Sequence, residues 1–252
     1  MSAERVVTAA VLVIGNEVLS GRTQDANLNW LARELAAAGV RLIEARVIRD
    51  EEPAIIAAVN EVRGQVDYVF TTGGIGPTHD DITSECVAKA FGVKLVRNPE
   101  AVRTLEAHYP PGSLNEARLR MANTPEGATL IENPVSKAPG FQIGNVLVLA
   151  GVPSVMRAMF DGIKARLKGG AVQLSRTVTC TLGEGVIAKD LGALQARYGD
   201  LEIGSYPYFR AGGFGVSLVL RGTDSTRLKV AAEELKAMIR GFGGDPREEE
   251  AA

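Results

Sequence analysis

Three times within its first hundred residues the chain runs from a short apolar segment through a loop into a stretch whose apolar side chains recur every three or four positions. Parallel strands cannot be joined by a tight turn, and a helix is the connection that buries its own apolar face on the sheet it crosses. The pattern predicts a mostly parallel sheet with helices on both faces, a three-layer α/β fold. Val6 to Ile14 reads as the first buried strand. The helix after it, from about Asn27 to Ala38, lines up Leu28, Leu31, Leu35 and Ala38 and stops at Gly39. Val40 to Ile48 is the second strand, and Pro53 opens a helix that aligns Ile55, Val59 and Val62 and ends at Gly64. Val66 to Thr71 is the third, with a helix from about Asp81 to Phe91 beyond it.

Asn98-Pro99 predicts a capped helix to about His108, and Ser113 to Ala122 a shorter one. Ala128 to Asn145 reads as a strand, a loop and a hairpin, Val146 to Ala150 as another buried strand, and Gly151-Val152-Pro153 as the start of a helix to about Leu167. Gly169-Gly170 marks a boundary, because the order then changes to strand (Val172 to Leu182), helix (Val186 to Ala196), two strands (Leu201 to Phe209, Gly215 to Arg221) and helix (Thr226 to Arg240). Residues 1–168 are expected to form the α/β domain, 171–242 a small α+β domain, and 243–252, with three glutamates in a row, a disordered tail.

With 46% hydrophobic and 23% charged residues, the composition is that of an ordinary globular protein. A net charge of -2 offers no electrostatic footprint for nucleic acid or an acidic membrane. Cys86 and Cys180 are too far apart in sequence for a ligand-spacing motif, and two cysteines make no disulfide framework. Val6 to Gly15 follows Arg5 and has the outline of a secretory leader. It is too short to span a membrane and runs into Asn16-Glu17 without a cleavage pattern, so a buried strand and a cytoplasmic location are expected.

In open α/β sheets ligands bind at the carboxyl ends of the strands. At those ends this chain carries Asn16, Glu17, Gly21, Arg22, Thr23, Asp25 and Asn27; then Asp50; then T-T-G-G-I-G-P-T-H-D-D (residues 71–81); then Gly151 and Pro153. Glycines let a backbone approach an anion, a helix start attracts negative charge, and carboxylates beside a phosphate repel it unless a cation intervenes. Gly73, Gly74, Ile75, Gly76, Pro77 and Thr78 are therefore candidates for phosphate contact, and Asp50, Asp80 and Asp81 for a divalent metal and catalysis. The plainer reading is a helix start: Thr78-x-x-Asp81 fits a capping box, and both aspartates suit the helix dipole without any ligand. His79 reads as a helix-start residue, His108 carries no role, and Arg103, Arg118 and Arg120 read as solvated helix faces. The loop lacks the Lys-Ser/Thr ending of a Walker A motif and is not G-x-G-x-x-G. Gly212-Gly213-Phe214-Gly215 fits G-x-x-G but falls between strands, in a domain of nearly balanced charge, so no nucleic-acid binding is expected.

T-T-G-G-I-G-P-T-H-D-D-I-T resembles the signature of the MoaB/Mog molybdopterin-binding domain. V-I-G-N-E-V-L-S-G-R-T-Q-D-A-N-L-N-W-L-A-R-E-L resembles the opening of that domain in the CinA family. P-E-G-A-T-L-I-E-N-P-V-S-K-A-P-G-F and L-A-G-V-P-S-V-M-R-A-M-F resemble two later blocks. Gly183-Glu184-Gly185 and Ile203-Gly204-Ser205-Tyr206-Pro207 are similar to the KH-like domain that follows in CinA proteins and in the amino-terminal half of eukaryotic FAD synthases. CinA proteins commonly continue into a nicotinamide mononucleotide deamidase domain; this sequence stops before one, and that activity is not expected of it.

The resemblance implies a cleft for a pterin or nucleotide pyrophosphate. It places two acidic family positions on Asp50 and Asp81, with Asp80 belonging to the CinA variant of the loop. A metal-dependent pyrophosphatase using Mg²⁺, Mn²⁺ or Co²⁺ on ADP-ribose or FAD is the leading expectation, with Asn16, Glu17, Ser136 and Lys137 as further candidates for substrate contact or proton transfer. A protein that binds or adenylylates molybdopterin, or a non-catalytic binding protein, is the alternative. Dimeric and trimeric relatives imply a homodimer.

Overall fold

The computed structural model describes residues 5–210 and 213–249. The chain divides into two compact units, Met1–Gly170 and Ala171–Ala252. In the first, the elements run β1 (Val7–Ile14), α1 (Asn16–Leu19), α2 (Asn27–Ala37), β2 (Val40–Ile48), α3 (Glu52–Arg63), β3 (Tyr68–Thr72), α4 (Thr83–Phe91), β4 (Leu95–Arg97), α5 (Pro99–His108), α6 (Glu116–Leu119), β5 (Asn123–Pro125), β6 (Thr129–Ile131), β7 (Gly140–Ile143), β8 (Val146–Leu149) and α7 (Pro153–Lys164). The main sheet has the order β2-β1-β3-β8-β7-β6. Its first four strands are parallel, and β7 and β6 are each antiparallel to the strand before them in that order.

The sequence of β1 explains the layering. From Ala9 to Ile14 every residue is at most 3% exposed, and successive side chains point to opposite faces. Ala9, Val11 and Val13 meet Leu31 and Leu35 of α2 and Met156, Met159, Phe160 and Ile163 of α7. Ala10, Leu12 and Ile14 meet Ile55, Val59 and Val62 of α3 and Cys86, Val87 and Ala90 of α4. On the first of these faces Phe160 takes Trp30 edge-on at 5.4 Å and Phe70 at 5.8 Å between ring centroids. Asn98 caps α5 by accepting from the amides of Glu100 and Ala101, with Pro99 in the first turn.

In the second unit β9 (Leu174–Cys180), α8 (Glu184–Arg197), β10 (Glu202–Arg210), β11 (Gly213–Gly222), α9 (Ser225–Gly241) and β12 (Arg247–Glu249) make an antiparallel sheet of order β10-β11-β9-β12. Ile187 and Leu194 of α8 and Leu228, Leu235 and Ile239 of α9 cover its inner residues Val178, Val216, Leu218 and Leu220. Cys86 and Cys180 are both free and buried. No helix among the described residues is long and apolar enough to cross a membrane.

Several expectations are corrected. The acidic tail is not a disordered end over its described part: Arg247–Glu249 add β12 to the edge of β9. There Glu248 is paired with Arg176 and, at 2.8 Å, with Lys236, so the charge that reads as disorder is neutralised by cations distant in sequence. The short helix α1 and the β4–β5 pair have no counterpart in the sequence pattern, being three or four residues each and below the length at which periodicity is visible. The helix expected from Asp81 begins at Thr83. In the G-x-x-G stretch, Gly212 lies outside the described residues, and Gly213 to Gly215 open β11.

Phe70 is fully buried, so Phe70→Ala is expected to lower unfolding stability by about 3–5 kcal/mol. Denaturant titration followed through Trp30, the chain's single tryptophan, measures it.

Candidate functional site

The glycine loop is held by its backbone. Gly73 and Gly74 leave β3 with φ of 103° and 68°, a region that residues with a Cβ rarely enter. Space excludes a side chain as well: a Cβ on Gly73 would collide with the Ile14 carbonyl oxygen, and one on Gly74 with Thr83 Oγ1. The Gly73 amide donates to Leu149 O at 3.2 Å, Thr83 Oγ1 donates to Gly73 O at 3.0 Å, and the Thr83 amide donates to Gly74 O at 2.9 Å. The ends of β1, β3 and β8 and the start of α4 are thereby drawn to one point. Gly151 belongs there too, since a Cβ on it would lie 3.2 Å from Gly73 Cα. Buried Asn27 fixes that second loop, its Nδ2 donating to Gly151 O at 2.7 Å.

Carboxylates surround the loop. Asp50 Oδ2 accepts from the Asn16 amide at 2.7 Å, which ties the end of β2 to the start of α1. Asp81 Oδ2 accepts from the Thr78 amide at 2.8 Å and from Thr78 Oγ1 at 2.5 Å. This pairing closes a turn over residues 78–81; it is not a capping box on α4, whose N-cap is Ile82 without a side-chain bond. The Glu17 carboxylate folds back over Gly15, where a Cβ would come within 2.6 Å of its Oε1. Burial, followed by the negative charges of Glu17, Asp80 and Asp81, pushes the Asp50 carboxyl above its ordinary value against the lowering effect of the Asn16 amide. Hydrogen bonding from Thr78 holds exposed Asp80 below its ordinary value. His79 is 97% exposed at its side chain, with Nδ1 3.9 Å from Asp80 Oδ1, as suits a surface turn residue.

The carboxylates sense one another, yet among the described residues no three His, Cys, Asp or Glu side chains are grouped closely enough to hold a metal ion. Ile75 turns inward and packs against both core clusters, while Pro77 and Thr78 stay exposed. Pro153 opens α7 just after Gly151. Ser136 and Lys137 belong to a different turn: Ser136 Oγ accepts from Asn133 Nδ2 at 2.6 Å, and Lys137 sits at φ 62°. Lys137 lines a groove of about 600 Å³ with Glu100, Arg103, His108 and Glu132, and no residue of the glycine loop lines it. Two residues that position the loop, Thr83 and Asn27, are not recognisable as such from the sequence. A threonine at a helix start carries no signal, and Asn27, though placed by the sequence at the end of the first strand, shows its bond to Gly151 only once the second loop is placed.

Residues 10–169 match the family described as "Probable molybdopterin binding domain", and residues 173–242 match "FAD synthase, middle domain". A protein of Archaeoglobus fulgidus is 33% identical over 91% of this chain and 96% of its own. A CinA-like protein of Gemmatimonas aurantiaca is 36% identical over 93% of this chain and 60% of its own. The solved structure of CinA, with unknown function, from Thermoplasma acidophilum superposes with a TM-score of 0.60 at 34% identity, covering 63% of this chain and 96% of that one. The chain belongs to the CinA family. Its first unit is the molybdopterin-binding domain of that family, with the mostly parallel sheet the motifs implied, and its second is a separate antiparallel module. The chain spans 50% and 60% of the length of two CinA-like relatives, from Syntrophus aciditrophicus and Gemmatimonas aurantiaca.

Asp50→Asn is expected to stabilise the CinA-family domain near neutral pH when no divalent ion is added. The folded carboxyl titrates above its unfolded value, so the unfolded chain loses the proton first and the group opposes folding once the pH exceeds the ordinary carboxylate range. The gain should shrink as the pH falls through about 4 and vanish below it, where both states bind the proton. Thermal melts of the two proteins across that range measure it.

Proposed function

We propose that the glycine loop and the carboxylates around it bind a nucleotide or pterin pyrophosphate and promote hydrolysis of its anhydride with a divalent cation. One observation carries the reading: a loop whose backbone is locked by Gly73 and Gly74 stands at the start of a helix, among Asp50, Asp80, Asp81 and Glu17. Backbone amides at the start of a helix favour an anion, whereas Asp50 crowded by Glu17, Asp80 and Asp81 does not.

The donor set suits a hard cation, because carboxylate oxygens are its preferred ligands and added positive charge would relieve the penalty on Asp50. Mg²⁺ is usually held by one or two carboxylates together with the substrate's phosphates. One or two of Asp50, Asp80 and Asp81 would hold it. When bound, such an ion supplies Lewis-acid polarisation of a phosphoryl oxygen and lowers the pKa of a coordinated water.

The chain's own groups do the rest. The amides of residues 74–76 orient the pyrophosphate, and the bonds of Gly73 to Leu149 and to Thr83 keep that loop from relaxing. Thr78 and the Asn16 amide fix the rotamers of Asp81 and Asp50 through their Oδ2 atoms. Glu17 lies at the same strand end as a group able to take a proton.

The second reading, binding or adenylyl transfer on molybdopterin, is favoured by the family description of residues 10–169. It uses the same loop. The match of residues 173–242 to a domain of FAD synthase keeps flavin nucleotides among the substrates to try.

Purified protein incubated with ADP-ribose, FAD, NAD or ATP and Mg²⁺, Mn²⁺ or Co²⁺ is expected to release AMP in at least one combination. Loss of a ligand worth a few kcal/mol should make Asp81→Asn slower by on the order of 10²-fold or more. No product from any combination, with tight binding of a pterin instead, selects the second reading.

A further inference from the structure

We propose that the outer face of the second unit's sheet binds a planar, uncharged, fused heteroaromatic ring of the flavin type, stacked on Tyr206. Strand residues alternate between faces, and α8 and α9 cover the face that carries Val178, Val216, Leu218 and Leu220. The ladder sets Tyr206 opposite Ser217 and Tyr208 opposite Gly215, one step out of phase with those inward residues, so both tyrosines lie on the other face. Ser217 stands opposite Thr179 in turn, and Val219 between Gly204 and Thr177, so the side chains around the tyrosines are short.

Two glycines let the rings lie down. A Cβ on Gly204 would fall 2.7 Å from Tyr206 Cε2 and 2.8 Å from its hydroxyl oxygen, so this ring is folded back along its own strand over Gly204. The phenol end of Tyr208 lies over Gly215, its oxygen 2.6 Å from where a Cβ would be. Glycine weakens a strand interior and often marks a place where something approaches closely. A ring laid on the sheet has one face covered and the other open, and Tyr206 is 46% exposed. Tyr208 continues the shelf two residues on, about 7 Å along the strand, which suits a fused ring system better than a single ring.

Tyr206 is also held in place. Its hydroxyl accepts from Arg221 at 3.1 Å, and the guanidinium stands at that end of the ring, 5.7 Å from the centroid. The backbone fixes one end of the side chain and Arg221 the other, so little rotamer freedom is left to lose when a second ring stacks on the open face. Offset stacking of aromatic faces needs an ordered, accessible ring of this kind.

Charge argues against a polyanion. Arg221 is shared with Glu202 at 3.3 Å, and Arg247, opposite Thr179 in the ladder, pairs with Asp245 at 3.3 Å. A nucleic-acid strand calls for a basic groove that follows its phosphates, whereas a neutral ring needs no cation.

Riboflavin, which is neutral and has no phosphate, tests this face without engaging the glycine loop. Titrating it with the full chain should give saturable quenching of flavin fluorescence. Tyr206→Leu keeps an apolar cover over Gly204 but removes the aromatic face, and it should weaken binding by about tenfold or more with an unchanged far-ultraviolet circular dichroism spectrum. Tyr206→Phe keeps the ring and should retain most of the affinity. Gly204→Ala puts a methyl group beneath the ring, and it should weaken binding while the fold stays intact. Displacement of riboflavin by adenosine would extend the site to purines, and lack of displacement would confine it to flavins. No saturable quenching by the wild type, an unchanged affinity in Tyr206→Leu, or displacement of riboflavin by single-stranded RNA whose binding falls steeply with salt would overturn the proposal.

Discussion

Burial of β1 on both faces is the constraint from which the first domain is built. Six consecutive side chains from Ala9 to Ile14 have no exit to water, so each face of the strand needs its own helical cover. The covers are the crossover helices α2, α3 and α4 together with α7, and the crossovers make the neighbouring strands parallel. That arrangement points the strand ends β1, β2, β3 and β8 the same way. Ile14, the last residue of β1, has its carbonyl against Gly73, so the end of the core strand is also the back wall of the site.

The site is an opposition between two kinds of group. Backbone amides and a helix start attract negative charge, while Asp50, Asp80, Asp81 and Glu17 supply it without a counter-charge among them. Asp50 shows the consequence in its raised titration, driven first by burial and then by its neighbours. Such an arrangement is costly unless something positive or a polarised ligand shares it, and functional sites commonly hold this sort of local cost against the stability of the surrounding core. The side chains doing the positioning, Thr83, Thr78 and Asn27, are neutral and act through single hydrogen bonds. They order the loops without adding to the charge.

The second domain follows different physics. Its antiparallel strands have one face under α8 and α9, so its sequence alternates where β1 does not. β11 shows this with inward Val216, Leu218 and Leu220. Its edge is closed by β12 through ion pairs at Glu248, whereas the edge of β2 in the first domain keeps Ile43 and Val47 in water. One edge is completed from within the chain; the other has no paired strand among the described residues.

The layering, the helix faces of α2 and α3, the Asn98 cap and the family were all legible in the sequence, because each rests on local spacing or on a contiguous motif. The role of Asp81 was only half legible: a capping box and a turn closure use the same Thr-x-x-Asp spacing, and which occurs depends on where the helix starts, two residues later. Lys137 could be named from its block but not placed; folding puts it with α5 in a groove that none of the glycine-loop residues lines. By itself, then, the sequence determined the longer helices and strands, their order and the identity of the glycine loop, since these follow from periodicity and from positions that only glycine can occupy. Tertiary structure alone decided that Gly73 abuts Ile14, that Asn27 holds Gly151 and that an acidic tail becomes a strand. These contacts join residues tens of positions apart, and no local pattern records them.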